Sequence, residues 1–212
     1  MSGGILRIAG VDEVGRGALF GPVAAAAVVL DRTGVTRLRQ LGVTDSKALS
    51  PERRECLAEA IEAIALSVGI GTASVAEIDR VNILQATFLA MRRAIAQLDS
   101  PPDLCSVDGN RAIPQLAIPQ RTVVKGDRRD LAIGAASIVA KVWRDRQIVA
   151  LSERYPGYDL ASNKGYGTAK HTDGLVRLGV TPEHRMSFAP CREAIEKRQL
   201  SLGAPSESRA VE

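Results

Sequence analysis

The chain has 212 residues, a formal net charge of +4 at pH 7 and 45% hydrophobic residues, a size at which one domain buries about 70% of the surface of its unfolded chain. Three widely spaced cysteines without a CxxC pair argue against a disulfide framework or a zinc knuckle. The first ten residues contain no apolar core of signal-peptide length, and no apolar run in the chain approaches the length of a membrane span. We therefore expect a cytoplasmic protein without membrane association, and its mildly basic charge favours an anionic partner.

Alternating strand and helix signals run along the first half of the chain. Residues 5–11 and 23–30 are short apolar segments bounded by glycine and proline, and they predict two strands of a hairpin. Ser50 and Pro51 form an N-cap and first-turn pair that predicts a helix from 51 to about 66. A strand over 67–71 follows. The hairpin predicts that the sheet begins with antiparallel strands.

The second half continues the alternation. Apolar residues at 84, 88, 91, 95 and 98 repeat every four and three positions, which predicts one buried helix face. Strands are predicted over 104–108 and 122–125, and a long helix over 131–151. The sum is an α/β fold, a mixed β-sheet flanked by helices, with the later strands reached by helical crossovers. We expect a catalytic domain over 1–190 and, over 191–212, a short helical C-terminal extension ending in a disordered tail.

Carboxylates follow three of the predicted strands. Asp12 and Glu13 come directly after the first strand, Asp108 ends a second, and Asp127 follows a third. Neighbouring residues of a regular strand point to opposite faces, so Asp12 and Glu13 reach one site only if the strand bends or ends there. An isolated acidic pair of this kind is more often exposed surface, but three acidic strand ends together predict a shared site.

Such a cluster of carboxylates predicts bound metal. Without cations the four acids would repel one another, and some would have to take up protons. Oxygen-only ligands favour Mg²⁺ or Mn²⁺ over zinc. We expect one or two ions per active site, the second arriving with the substrate, and two such ions about 4 Å apart suit phosphodiester hydrolysis.

A glycine-rich segment, Gly15-Arg16-Gly17, follows the first acidic pair. One interpretation is a hairpin turn that uses the positive φ of glycine. The other is a loop that a substrate backbone approaches closely, with Arg16 facing a phosphate. A dinucleotide-binding motif is excluded, because Phe20 stands where the third glycine is required. Basic residues clustered over 111–129 and 141–171 either line a phosphate groove or form solvated faces.

The segment from Asp12 to Gly17, with Gly21 and Pro22, resembles the opening signature of the ribonuclease HII family. The resemblance continues in order over nearly the whole chain. The further motifs are Asp45-Ser46-Lys47, Val107-Asp108-Gly109, Lys125-Gly126-Asp127, Ala136-Ser137-Ile138-Val139-Ala140-Lys141 with Arg144-Asp145, Lys164-Gly165-Tyr166-Gly167-Thr168 and His184-Arg185.

The resemblance implies a ribonuclease H-like fold and an endoribonuclease that hydrolyses the RNA strand of RNA–DNA hybrids. It further implies cutting on the 5′ side of ribonucleotides embedded in duplex DNA, leaving 3′-hydroxyl and 5′-phosphate ends, in the service of ribonucleotide excision. Asp12, Glu13, Asp108 and Asp127 would be the metal-binding catalytic carboxylates.

The same resemblance implies a set of substrate-binding residues. One group would read the ribonucleotide 2′-OH and the neighbouring phosphates, since the 2′-OH distinguishes RNA from DNA. A second would lie near other substrate phosphates, and an aromatic ring would pack against the sugar on the 3′ side of the cut and contact that 2′-OH. The first group is Gly15, Arg16 and Gly17, the second is Ser46 and Lys47, and the aromatic ring is that of Tyr166.

The remaining motifs are interpreted as structural. Ser137 is explained by helix packing, His171 by a surface position, and Asp145 by a salt bridge or helix cap as readily as by catalysis. Residues 199–202, Gln-Leu-Ser-Leu, resemble the start of a sliding-clamp-binding peptide in a flexible tail, although Gly203 replaces its usual aromatic anchor. Nothing demands more than a monomer.

Two alternatives stay open. A metal-dependent DNA resolvase or integrase-like nuclease also places carboxylates on a mixed sheet, so the fold alone does not separate the substrates. A binding module without catalysis would use the basic residues, but acids in a phosphate-binding groove weaken affinity unless metals intervene.

Overall fold

The computed structural model describes residues 7–43 and 49–203, with side chains as far as residue 200. A five-stranded sheet in the order β3-β2-β1-β4-β5 forms its centre. The strands are β1 Ile8–Val14, β2 Val23–Val29, β3 Ser67–Ala73, β4 Leu104–Asp108 and β5 Gln120–Val123. β1 and β3 both run antiparallel to β2, whereas β4 is parallel to β1 and β5 to β4. The predicted mixed sheet is confirmed.

Helices cover both faces of this sheet. In the part of the chain that the structure describes they are α1 Arg32–Gln40, α2 Pro51–Ile64, α3 Val75–Val81, α4 Ile83–Ala96, α5 Leu131–Arg154, α6 Leu160–Asn163, α7 Ala169–Leu178 and α8 Ala189–Gly203. A short 3-10 turn occupies Gly126–Arg128. Among these helices, none is both long and apolar enough to cross a membrane.

Small residues allow two long helices, α4 and α5, to approach the sheet closely. α4 packs on one face of β2 and β3, and α5 packs on the opposite face of β1 and β2. A Cβ on Gly10 would lie 2.1 Å from the backbone of Ala132 in α5, and a Cβ on Gly71 would lie 2.2 Å from the carbonyl oxygen of Ala90 in α4. Because no side chain fits at such separations, the helices lie against the strand backbones and fix the position of α5 over β1.

The strand boundaries differ from the predicted ones at two places that matter for the site. β1 extends to Val14, beyond the predicted 5–11, so that Asp12 and Glu13 lie within the strand and not after it. β5 ends at Val123, because Lys125 adopts a left-handed conformation with φ of 56°. The 3-10 turn then carries Asp127.

The predicted helices are confirmed with small changes of length, but others were missed. α2 ends at Ile64 and not at 66, α5 continues to Arg154, and α1, α3, α6 and α7 were not predicted. A helical crossover through α3 and α4 leads to β4, as expected, whereas the segment 109–119 that leads to β5 contains no helix. The expectation of helical crossovers for all later strands was therefore wrong for β5.

The C-terminal part packs against one end of α5. A third apolar cluster joins Phe20, Ile148 of α5 and Leu175 of α7 to Cys191 and Ala194 of α8. α8 thus begins at Ala189, close to the predicted position, and is anchored to the rest of the fold by its first turns. The division at 190 stays a prediction, and the predicted tail after 203 lies outside the described residues.

Candidate active site

Three carboxylates meet where β1 and β4 lie side by side. Parallel pairing places Val11 beside Val107, so Asp12 and Asp108 follow at the same level of the two strands. One oxygen from each of Asp12, Glu13 and Asp108 lies within 4.8 Å of the others. Convergence of these acids confirms the predicted juxtaposition, although it arises inside β1 and not beyond its end.

Asp127 faces the same groove from the 3-10 turn. The groove has a volume of about 460 Å³ and is lined by all four predicted acids together with Gly15, Arg16, Gly17, Ser137, Lys141 and Tyr166. Asp108 Oδ1 accepts a hydrogen bond of 2.7 Å from the backbone N–H of Gly126, which ties the end of β4 to the turn that bears Asp127. All four acids therefore border one cavity.

Burial and mutual repulsion disfavour the charged forms of the first two acids. Burial, and then the charges of Glu13 and Asp108, raise the pKa of Asp12 well above its usual value, while a hydrogen bond with Ser137 opposes the shift. Burial also raises the pKa of Glu13, against the pull of Arg16. A bound cation would relieve both penalties, which is the electrostatic signature of a metal site.

α5 supplies one wall of the groove. Ser137 and Lys141 are one turn apart and both line it. Ser137 hydrogen-bonds Asp12, and Lys141 Nζ donates to Asp145 Oδ1 at 2.8 Å. The interpretation of Ser137 as a helix-packing residue was therefore incomplete. The four-residue spacing from Ser137 to Lys141 was the available signal, because such residues share one helix face. The expected salt bridge of Asp145 is confirmed.

The glycine segment forms the lip of the groove next to Glu13. Arg16 Nη1 lies 3.2 Å from Glu13 Oε1, and the arginine side chain is half exposed. Gly15 has a φ of +86°, and a Cβ there would lie 2.1 Å from Nε of Arg144. A Cβ on Gly17 would meet no atom within 4 Å, so this side of the loop is open. The positive φ of Gly15 agrees with the first interpretation, a turn of the chain, whereas the approach of a substrate to this segment stays a prediction.

Two buried arginines hold this lip in place. Arg144 donates to the carbonyl oxygens of Phe20, Pro22 and Lys164 at 2.9–3.0 Å. Arg185 donates to the carbonyl oxygens of Gly21 and Arg16, each at 3.0 Å. Both side chains are fully buried. Arg144 binds carbonyl oxygens on both the loop after β1 and the loop that carries Tyr166, so it holds the two loops together. Arg185 adds a hydrogen bond to the Gly15–Gly17 segment itself.

Tyr166 lines the same groove as the acids. Its backbone pairs with Ala18 through an isolated antiparallel bridge, and the two preceding residues, Lys164 and Gly165, have φ of 53° and 84°. The ring centroid lies 5.7 Å from Lys141 Nζ and 5.7 Å from Arg144 Cζ. The structure therefore brings Tyr166 to the site at which the sequence placed it.

Other predicted residues lie elsewhere. Ser46 and Lys47 fall outside the described residues. His171 is fully buried, so its predicted surface position was wrong, and its Nε2 lies 3.1 Å from Nε2 of His184. Of the clustered basic residues, Arg121 is engaged with Asp130 at 2.9 Å. Arg111 lines a smaller groove beside the first, which it shares with Arg16 and Asp108.

This fold and acidic groove define a nuclease of the ribonuclease H type. The crystal structure of the ribonuclease H2 from Pyrococcus horikoshii OT3 is similar, with a TM-score of 0.77 and 27% sequence identity, over 92% of this chain and 99% of that one. The ribonuclease HII in a complex with PCNA from Archaeoglobus fulgidus gives a TM-score of 0.66 and 28% identity, over 84% and 92% of the two chains.

The sequence narrows this class to one family. The family model described as Ribonuclease HII matches residues 9–191. Ribonuclease HII of Acaryochloris marina is 61% identical over 189 residues, which cover 89% of this chain and 96% of the relative. The chain belongs to the ribonuclease HII family. Membership decides against the resolvase-like and the purely nucleic-acid-binding alternatives, and it implies cleavage of the RNA strand in RNA–DNA hybrids.

Proposed function

We propose that the protein cuts on the 5′ side of a ribonucleotide embedded in duplex DNA and leaves 3′-hydroxyl and 5′-phosphate ends. The observation that carries this proposal is the shared groove: the acids, the Gly15–Gly17 lip and Tyr166 border one cavity of about 460 Å³. Cleavage and recognition of the sugar would thereby take place in the same cavity. Excision of misincorporated ribonucleotides is the biological role that such cutting would serve.

Asp12, Glu13 and Asp108 would hold the metal, with Asp127 completing the acidic set. The fit rests on the spacing of their oxygens and on the raised pKa of both Asp12 and Glu13. A bound cation would lower these two pKa values toward their usual range. The donors are all oxygens, so Mg²⁺ and Mn²⁺ both suit the site. When bound, one or two such ions would polarise the attacking water and neutralise charge on the leaving oxygen.

The protein groups around the acids would position the substrate. Arg16 is half exposed beside Glu13 and would face a phosphate, while the open side of Gly17 would let the sugar–phosphate backbone come close to the peptide groups. Tyr166 would stack on the sugar on the 3′ side of the cut and contact its 2′-OH, the group that distinguishes RNA from DNA. Ser46 and Lys47 would lie near the substrate phosphates.

Cleavage of an end-labelled DNA duplex with one ribonucleotide tests the proposal. With Mg²⁺ or Mn²⁺ we expect a single cut on the 5′ side of the ribonucleotide, a product that a polymerase extends from its 3′-hydroxyl, and no cut with EDTA. Tyr166→Phe keeps the ring and removes the hydroxyl, so it should weaken cutting at the single ribonucleotide more than cutting of a long hybrid. Equal cutting of all-DNA duplex, or a cut on the 3′ side, would contradict the proposal.

A sliding clamp is proposed as a second partner. Residues 199–202 lie in the last turn of α8 and not in a flexible tail, and Leu200 is 75% exposed. A related ribonuclease HII, from Archaeoglobus fulgidus, is known in complex with PCNA. Removal of residues 199–212 should abolish retention on immobilised clamp without changing cleavage of short duplexes. Unchanged retention of the truncated protein on the clamp would contradict the proposed clamp binding.

A further inference from the structure

A pair of buried histidines lies directly behind the loop that carries Tyr166. His171 of α7 and His184 are both fully buried, and their Nε2 atoms are 3.1 Å apart. The rings pack between Phe20, 5.0 Å from His184, and Tyr158, 4.9 Å from His184 between ring centroids. Burial lowers the pKa of His171, and burial together with the charge of His171 lowers the pKa of His184 to about 3. Both rings are therefore neutral near pH 7.

The hydrogen bonds assign the proton on each ring. The backbone N–H of Thr181 donates to Nδ1 of His184 at 2.9 Å, so this nitrogen carries no proton. A neutral His184 must then be protonated on Nε2, which donates to Nε2 of His171. His171 is consequently protonated on Nδ1, and it donates to the carbonyl oxygen of Tyr166 at 3.0 Å. The hydroxyl oxygen of Thr181 also lies 2.9 Å from Nδ1 of His184 and can donate to it, so Thr181 sets the proton positions along the hydrogen bonds from 181 to 166.

This hydrogen-bond chain ends on a backbone that needs support. The Tyr166 carbonyl accepts a second hydrogen bond from Thr168 N–H at 2.8 Å. Lys164, two residues earlier, has a φ of 53°, a conformation that residues with a Cβ seldom adopt. Left-handed backbone of this kind persists when surrounding contacts hold it. The two carbonyl contacts fix the peptide plane after Tyr166, and with it the direction in which the ring enters the groove.

We propose that His171 and His184 are positioning residues, which set the place of the Tyr166 ring for recognition of the ribonucleotide. Neither histidine lines the groove, and the side-chain contact that joins the pair to Tyr166 is the hydrogen bond from His171 to the Tyr166 carbonyl oxygen. The inference rests on the role proposed above for Tyr166, and it adds two buried side chains to the substrate-recognition apparatus. A structural role alone would stabilise the C-terminal part without any link to Tyr166.

Two substitutions of His171 by side chains of similar shape distinguish a positioning role from a purely structural one. His171→Asn keeps an N–H donor near the position of Nδ1, whereas His171→Leu removes it, and both lose the bond to His184. We expect Leu to lower kcat/KM for a single-ribonucleotide duplex by about tenfold relative to Asn, the size of a typical coupling between contacting residues. Thermal unfolding of the two variants provides the matched control, because a merely structural role predicts that activity falls only in proportion to the folded fraction.

Repeating the Asn and Leu pair in a Tyr166→Ala background completes the test. Disappearance of the difference there supports the proposal, because the histidine then has no ring to position. A difference of the same size in both backgrounds overturns it and leaves the role of Tyr166 intact. If Tyr166→Ala alone leaves kcat/KM unchanged, the recognition role of Tyr166 fails, and this proposal fails with it.

Nitrogen NMR of the wild-type protein labelled with ¹⁵N-histidine gives an answer that needs no variant to fold. We expect one neutral ring protonated on Nδ1, His171, and one protonated on Nε2, His184. The opposite tautomers, or a positively charged ring at pH 7, would contradict the hydrogen-bond chain whatever the cleavage assays show.

Discussion

Gly15 lies against the side chain of Arg144, and the substitution Gly15→Ala measures how firmly Arg144 holds the active-site lip. The φ of +86° costs an L-residue about 1–2 kcal/mol. The new Cβ would also lie 2.1 Å from Arg144 Nε, on a side chain held by carbonyl oxygens of three residues. Moving the guanidinium would sacrifice at least one charged hydrogen bond, worth about 1.5–3 kcal/mol. The expected loss of unfolding free energy is therefore about 2.5–5 kcal/mol.

Thermal or urea unfolding measures this loss directly. For a domain of this size 1 kcal/mol lowers Tm by about 2–4 °C, so Gly15→Ala should lower it by about 10 °C. Gly17→Ala is the matched control, because its Cβ has no neighbour within 4 Å. Gly17→Ala should keep the Tm and lose cleavage, since the methyl group would project toward the substrate. Equal Tm values for the two variants would refute the packing argument.

Three further predictions concern charge and packing. Asp12→Asn should stabilise the metal-free protein at pH 8 by on the order of 1 kcal/mol, because the raised pKa of Asp12 makes its charged form destabilising as pH rises. Added Mg²⁺ should make the wild type the protein with the higher Tm. A variant that keeps the higher Tm in Mg²⁺ would contradict this prediction. His184 has a pKa lowered to about 3, so its contribution to stability is complete above about pH 6.5 and is lost as pH falls toward 3, at up to about 1.4 kcal/mol per pH unit. The unfolding free energy, measured by urea titration at several pH values, should therefore change less with pH in His184→Gln than in the wild type. An equal dependence on pH in the two proteins would contradict the buried pair. Gly10→Ala should cost about 1–3 kcal/mol of unfolding free energy, since its Cβ would meet the backbone of α5; a wild-type urea midpoint would show that α5 can move away.

Much of the site was predictable because its chemistry is local in sequence. The acids at 12, 13 and 108 follow apolar stretches, and parallel neighbours bring such positions to one level. The extent of β1 was not predictable, because its pairing with β2 continues to Val14 after the pairing with β4 has ended at Val11. That asymmetry depends on the partner strands and leaves no mark in the segment itself.

The missed features depend on contacts distant in sequence. His171 lies in a polar segment, and it is buried by Phe20 and Tyr158, which come from elsewhere in the chain. α1 is polar and contains only two large apolar residues, Val35 and Leu38, which are too few to mark a buried helix face, although the Asp31 N-cap was a readable signal. Apolar periodicity could not show such elements, whereas long amphipathic helices such as α4 were clear.

The most direct test of the central claim is hydrolysis of an RNA–DNA hybrid as a function of Mg²⁺ or Mn²⁺ concentration. Asp108→Asn retains an oxygen to accept the hydrogen bond from Gly126, so it should fold and yet lose metal-dependent cleavage. Asp173→Asn, an exposed acid of α7 away from the groove, is the control and should cleave like the wild type. Equal, metal-dependent cleavage by wild type and Asp108→Asn would contradict the assignment of the acidic cluster as the catalytic metal site.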